Sequence, residues 1–148
     1  NESSKNFNFP PNRPDLVICS DAIKPKVLID VKYNQLKDLE DSNNFVNLIS
    51  IVTKGENKII LCNVDSYDAY LKESKNINCP IYIIKVYRVD MTEGWSFTFL
   101  GIELTEKLKE KLIIENFGTP AKKVYKIDFK DMLEGDILFD KISTLIKK

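Results

Sequence analysis

The sequence predicts an α/β domain built on a mixed β-sheet with helices packed against it. Three observations carry that expectation. Four runs rich in Val and Ile, "DLVICS", "KVLIDVKY", "KIILCNV" and "PIYIIKVYRV", have the composition of strands. Between the second and third, Phe45, Leu48, Ile49 and Val52 fall at i, i+3, i+4 and i+7, one apolar face of a helix. A helix set between strands is the pattern of a crossover connection. The 148 residues suit one domain with a sizeable core.

Residues 1–12 read as a polar lead-in, and residues 13–148 as a single domain with a core over 13–90 and a C-terminal elaboration over 91–148. Asp15 to Ser20 is the first strand. "DAIKPK" is a turn with Pro25 as breaker, and Lys26 to Tyr33 is the second strand, close enough to the first to form an antiparallel hairpin. The helix that follows is capped by Asp41 or Ser42 and ends at Gly55. Lys58 to Val64 is continuously apolar and suits a buried central strand. A second helix over Ser66 to Ser74 carries Tyr67, Tyr70 and Leu71 on one side. "PIYIIKVYRV" is a further strand, and "GWSFTFLGIEL" alternates with Trp95, Phe97 and Phe99 on one face. Thr105 to Asn116 reads as helical, stopped by Gly118 and Pro120; "KKVYKIDF" is a last strand and Gly135 to Lys148 a last helix.

Composition excludes several function classes. Histidine is absent, which removes Ser-His and Cys-His nucleophile pairs, a His general base and Cys/His zinc patterns. Chemistry in this chain therefore falls to carboxylates, Lys, Tyr, Ser or a bound cation. The 22 basic and 22 acidic residues cancel, so no field over the whole chain favours nucleic acid, although a local basic surface remains open to it. Cys19, Cys62 and Cys79 form no C-x-x-C motif. Cys19 and Cys62 lie in apolar runs and read as buried thiols in a reducing compartment. With no apolar run of membrane-spanning length and no secretory signal pattern, an intracellular, cytoplasmic location is expected. The chain does not begin with Met, which suggests a piece of a longer protein.

The charges of "RPDLVICSDAIKPKVLIDVKYNQ" carry the functional reading. Asp30 and Lys32 are two apart on a strand and so share a face, while Ile29, Val31 and Tyr33 take the other and pack on a helix. If the hairpin turns near Asp21 to Lys24, Asp15 comes level with Asp30. Two converging carboxylates resist joint ionisation, and a divalent cation relieves the repulsion. Mg²⁺, or Mn²⁺ in its stead, takes one or two carboxylates and keeps several waters. Asp15 and Asp30 would hold the metal, with the Val31 carbonyl as a further ligand. Lys32 would orient or help deprotonate the attacking water, or neutralise charge building on a phosphate. The reaction so indicated is phosphodiester hydrolysis.

Pro14-Asp15, a spacer, then Asp30-Val31-Lys32 at the end of a Val/Ile-rich strand resembles the PD-(D/E)xK nuclease superfamily. "RPDLVI" with "LIDVKY" is similar, more narrowly, to the nuclease subunit of McrBC-type restriction systems. The resemblance covers about the first half of the chain. It implies a restriction-endonuclease-like fold and Mg²⁺-dependent endonuclease cleavage of nucleic acid, DNA preferred, with Asp15, Asp30 and Lys32 catalytic. Cutting both strands of a duplex often needs two sites, so a homodimer is one further partner to expect, and other domains of a longer parent chain are another. One departure stands out. Many such nucleases carry another acid on a helix before the first strand, and here only Glu2 precedes Asp15.

Plainer readings compete. A carboxylate two residues before a Lys also occurs at Glu56/Lys58, Glu73/Lys75 and Asp128/Lys130, and only Asp30/Lys32 joins apolar context to an upstream Pro-Asp. Asp15 and Lys32 taken singly suit a strand edge and a solvated ion pair. At strand spacing Trp95, Phe97 and Phe99 read as core, with a base-stacking platform as the alternative. Lys122, Lys123, Lys126, Lys147 and Lys148 are a solvated face or a phosphate-contact surface. Two functional alternatives remain open: a catalytically silent nuclease fold that binds nucleic acid or serves assembly, and an RNA-directed nuclease such as the cap-snatching endonucleases of segmented viruses. Several of the latter use a His metal ligand, which this chain lacks.

Overall fold

The computed structural model describes residues 13–36, 59–90 and 94–147. The fold is mixed α/β, with a mixed five-stranded sheet, an antiparallel three-stranded sheet and, among the described residues, three helices. Strand β1 (Leu16–Cys19) turns back into β2 (Pro25–Leu36), with Leu16 opposite Ile29. The turn is closed by Ser20 N–H donating to the Lys24 carbonyl at 2.8 Å and Ile23 N–H to the Ser20 carbonyl at 2.9 Å. Pro25 opens β2 rather than breaking the chain before it, because the first residue of a strand can lack an N–H at little cost.

On its other side β2 runs parallel to β4 (Ile81–Asp90), which pairs antiparallel with β5 (Trp95–Glu103). The short β8 (Leu133–Glu134) covers the outer edge of β5, giving the order β1-β2-β4-β5-β8. The smaller sheet has the order β3-β7-β6, from β3 (Ile59–Asn63), β6 (Ile113–Phe117) and β7 (Lys122–Asp128).

Helix α1 (Val64–Ile77) starts directly from β3. Asn63 makes that change of direction possible, since its side chain accepts from Asp65 N–H at 3.0 Å and satisfies one of the helix's orphan donors. Asn78 ends the helix in the left-handed conformation, which Asn tolerates better than most residues. Tyr67, Tyr70 and Leu71 of α1 are buried together with Ile60 and Cys62 of β3, Tyr125 and Ile127 of β7, and Leu28, Ile81 and Ile83 of the large sheet. On the opposite face of that sheet, Val27, Ile29 and Tyr82 pack with Leu138 and Ile142 of α3 (Gly135–Lys147). Gly101 permits this approach: a Cβ there would meet Leu138 Cδ2 at 2.7 Å and the Ile83 carbonyl oxygen at 3.0 Å. No helix among the described residues is long and apolar enough to cross a membrane.

Several expectations are corrected. "KIILCNV" is not a central strand of the main sheet. It pairs with β7, and its burial alternates, with Ile60 and Cys62 inward and Ile59 and Leu61 half-buried. A short apolar run does not by itself tell two buried faces from one buried face and one lining a cleft. The strand set parallel to β2 is β4, downstream of α1. The segment Thr105 to Asn116 is helical only over α2 (Glu106–Lys109), capped by Thr105 Oγ1 accepting from Leu108 N–H at 3.0 Å. Beyond it, β-branched Ile113 and Ile114 pair with β7, and tertiary pairing overrides local helix preference. Trp95 and Phe97 do share a face, but at the outer end of the hairpin they are exposed, edge to face with each other, and only Phe99 reaches the core. Tyr33 is likewise exposed, because α3 packs on β2 around Ile29 and Val31 and not at Tyr33. Cys19 is exposed on the edge strand β1, whereas Cys62 and Cys79 are buried. The helix expected over Asp41 to Gly55 lies outside the described residues, as does the lead-in over 1–12.

Candidate active site

The β1–β2 register sets the site. With Leu16 opposite Ile29, Asp15 stands just past the start of β1, beside Asp30 and Val31 of the longer β2. Asp15 Oδ2 accepts the Val31 N–H at 2.8 Å, so the carboxylate continues the ladder where β1 has no backbone left to offer. The N–H and C=O of one strand residue face the same edge. The Val31 carbonyl therefore opens on the side where Asp15 sits. Just upstream, Arg13 Nη2 lies 3.2 Å from Glu73 Oε1 of α1, which ties the approach to β1 onto that helix.

Asp30 lies on the face of β2 that α1 covers. It is the one charged residue buried among the described residues, at 4% exposure. Its Oδ2 accepts no hydrogen bond, although Lys32 Nζ stands 3.3 Å away as an ion-pair partner. Strand parity is thus realised, and Asp30 and Lys32 share a face. Burial raises the carboxyl above its ordinary range. The Lys32 ammonium and the Tyr70 hydroxyl pull it back down, and the Asp15 carboxyl raises it further. Asp15, Asp30 and Lys32 are brought together.

Tyr70 was not among the site residues read from the sequence. It looked like one of three apolar anchors on α1, and it is buried as one. Its hydroxyl also acts on Asp30, and its own ionisation is pushed up by burial first and then by the Asp30 charge. The available signal was chemical: a buried Tyr needs a partner for its hydroxyl, and Asp30 is a buried acceptor at hand. Cys62 lies close enough to feel both Lys32 and Asp30, but burial dominates and its thiol is pushed up to about 12, so it is an inert wall of the site.

The donor set fits a hard divalent cation. Two carboxylates converge, one of them buried with an oxygen that accepts no hydrogen bond, and a backbone carbonyl opens on the same edge. Mg²⁺ uses one or two carboxylates and leaves the rest of its shell to water and phosphate oxygens. Among the described residues, no group of three or more His, Cys, Asp or Glu side chains gathers as a larger ligand set.

Asn34 and Gln35 belong to β2, which runs to Leu36. Gln35 Nε2 donates to Asp90 Oδ2 at 2.7 Å, and Asn34 lines a cleft beside Lys32. Of the C-terminal lysines, Lys126 lines the same cleft, while Lys122, Lys123 and Lys147 are exposed and Lys148 lies outside the described residues. No family model matches the chain, and no curated protein or solved structure matches it either.

Proposed function

We propose that this chain is a Mg²⁺-dependent nuclease domain of the PD-(D/E)xK type, hydrolysing phosphodiester bonds in DNA. The observation that carries the reading is the buried Asp30 carboxylate, with one oxygen accepting no hydrogen bond, facing Asp15 and flanked by Lys32. Leaving such a group in a folded interior is costly without a compensating charge. In this reading Asp15, Asp30 and the Val31 carbonyl would hold the cation. The bound metal supplies polarisation of the phosphate and a water of lowered pKa. Lys32 would orient an attacking water and neutralise charge gathering on the phosphate oxygens. The Tyr70 hydroxyl favours the ionised form of Asp30 against the effect of burial. The test is digestion of DNA, offered both as single strand and as plasmid, with and without Mg²⁺ by the wild-type chain and by Asp30→Ala and Lys32→Ala. Cutting by the wild type alone is expected, with losses of at least about 100-fold in the variants. Full activity in both variants overturns the assignment.

A second reading is favoured by one specific observation. Lys32 already pairs with Asp30, which balances the buried charge without any ion. A silent fold that binds nucleic acid without cutting it would keep that pair. Binding with ordinary salt dependence, and no turnover in any divalent cation, would support this alternative.

A further inference from the structure

A cleft of about 540 Å³ opens between the two sheets and shares Lys32 with the candidate site. Its floor is the face of the large sheet that also carries Asp30. There Lys32 of β2 pairs in register with Lys85 of β4, and Asn34 stands two residues beyond Lys32. Its wall is the outer face of the small sheet, which contributes Lys126, Glu115 and Phe117.

The charge of this lining is unlike that of the chain. Among the described residues that line it, three ammonium groups face one carboxylate, although the chain as a whole is neutral. Lys126 lies 3.5 Å from Glu115. Lys85 Nζ donates to the Ile59 carbonyl at 3.0 Å and stands 5.1 Å from the centre of the Tyr87 ring, so the sheet holds it toward the cleft. Phe117 is 60% exposed although it is large and apolar, and it shares the wall with Lys126, across from Lys32 and Lys85 on the floor.

Cations along a groove with an exposed aromatic ring across from them form the arrangement that holds single-stranded nucleic acid. The cations take phosphates, and the ring takes the face of a base whatever its identity. Size decides against a duplex inside. A volume in the range of a small-molecule site holds a nucleotide or two of one strand, while a double helix stays outside.

We propose that this cleft binds one unpaired nucleic-acid strand, with phosphates on Lys32, Lys85 and Lys126 and a base against Phe117, and delivers that strand to Asp30 and Lys32. The inference names the substrate's strandedness and rests on the nuclease reading only for the purpose of delivery. The geometry of the cleft is independent of whether cutting follows.

The test is fluorescence anisotropy with a labelled 12-nucleotide DNA and the duplex of the same sequence, in EDTA and across a salt series. The full chain and its Lys126→Ala and Phe117→Ala variants are compared, both changes lying at the surface and checked for folding by melting. The single strand is expected to bind at least tenfold tighter than the duplex. Lys126→Ala is expected to reduce the salt slope by about 0.7, one phosphate contact on a single strand. Phe117→Ala is expected to weaken binding at least about fivefold with the slope unchanged. A duplex bound as tightly as the strand, or unchanged binding in both variants, overturns the proposal. Failure of the two readings is distinguishable. Strand binding that depends on Lys126 and Phe117 without Mg²⁺-dependent cutting sinks only the nuclease. Cutting with binding indifferent to both residues sinks only the strand cleft.

Discussion

Lys32 Nζ lies 3.3 Å from Asp30 Oδ2, and the two ends of the pair live in different solvents: the Lys32 side chain is 42% exposed and the Asp30 side chain 6%. The ammonium keeps much of its hydration while the carboxylate has lost nearly all of its own. Asp30 is therefore a source of instability in the metal-free chain, and its effects on stability and on function should run in opposite directions.

Asp30→Asn should stabilise the metal-free protein at neutral pH. The folded-state pKa of Asp30 lies above its ordinary value of 3.8, chiefly through burial. The folded state thus holds more protons than the unfolded one just above that value, and stability falls as pH rises through the raised pKa. Asn suffers no such loss. Thermal melts in EDTA should show the variant melting above wild type at pH 7. The gain should shrink as pH falls and be gone below 3.8, where Asp30 is protonated in both states. A variant less stable than wild type at pH 7 contradicts this.

Lys32→Ala should act oppositely, since it leaves the buried carboxylate without its counter-charge. A fully buried pair broken this way loses about 3–5 kcal/mol. The partial exposure of Lys32 reduces the expected loss to about 1–2 kcal/mol by urea unfolding. Combined with Asp30→Asn the loss should largely vanish, a coupling that a double-mutant cycle measures directly. Additive effects would mean that the pair contributes nothing.

Tyr70→Phe removes the hydroxyl that favours ionised Asp30. The carboxyl midpoint should move upward, read by ¹³C titration of the Asp30 carboxyl in metal-free protein. In an active enzyme, the acid limb of the pH–rate profile should move the same way. A purely structural Tyr70 would lower stability and leave both midpoints in place.

Gly101→Ala should cost about 1–3 kcal/mol, because the new methyl group meets Leu138 Cδ2 at 2.7 Å and a backbone oxygen at 3.0 Å. Leu138 can shift, but the Ile83 carbonyl cannot move without disturbing the β4–β5 ladder. Melting temperature is the readout, and an unchanged value would show that α3 does not seat on β5 as described.

Much of the site was legible because it depends on strand parity and hairpin register. Asp30 and Lys32 are two apart, and the short turn over Ser20 to Lys24 leaves Asp15 one place beyond Leu16. Those are local quantities. What the sequence hid was non-local. Nothing in "KIILCNV" says that its partner is Lys122–Asp128, and nothing in Ile113 or Ile114 says that they leave a helix pattern to join the same sheet. Tyr70 was hidden for a related reason. Its helical spacing revealed the face it buries, but which acid lies beneath that face depends on how α1 docks over β2.

The pairing of β3 with β7 joins residues 59–63 to residues 122–128. A protease nick or a premature stop after Asp90 would therefore do more than shorten the tail. It would strip β3 of its ladder partner and β4 of β5 at once, leaving two apolar strands with open hydrogen-bonding edges. Such a fragment would retain "PD…DVK" in its sequence and yet be prone to edge-to-edge aggregation. Quality control in a cell would meet it as a misfolded chain, whatever the site in that sequence does in the intact fold.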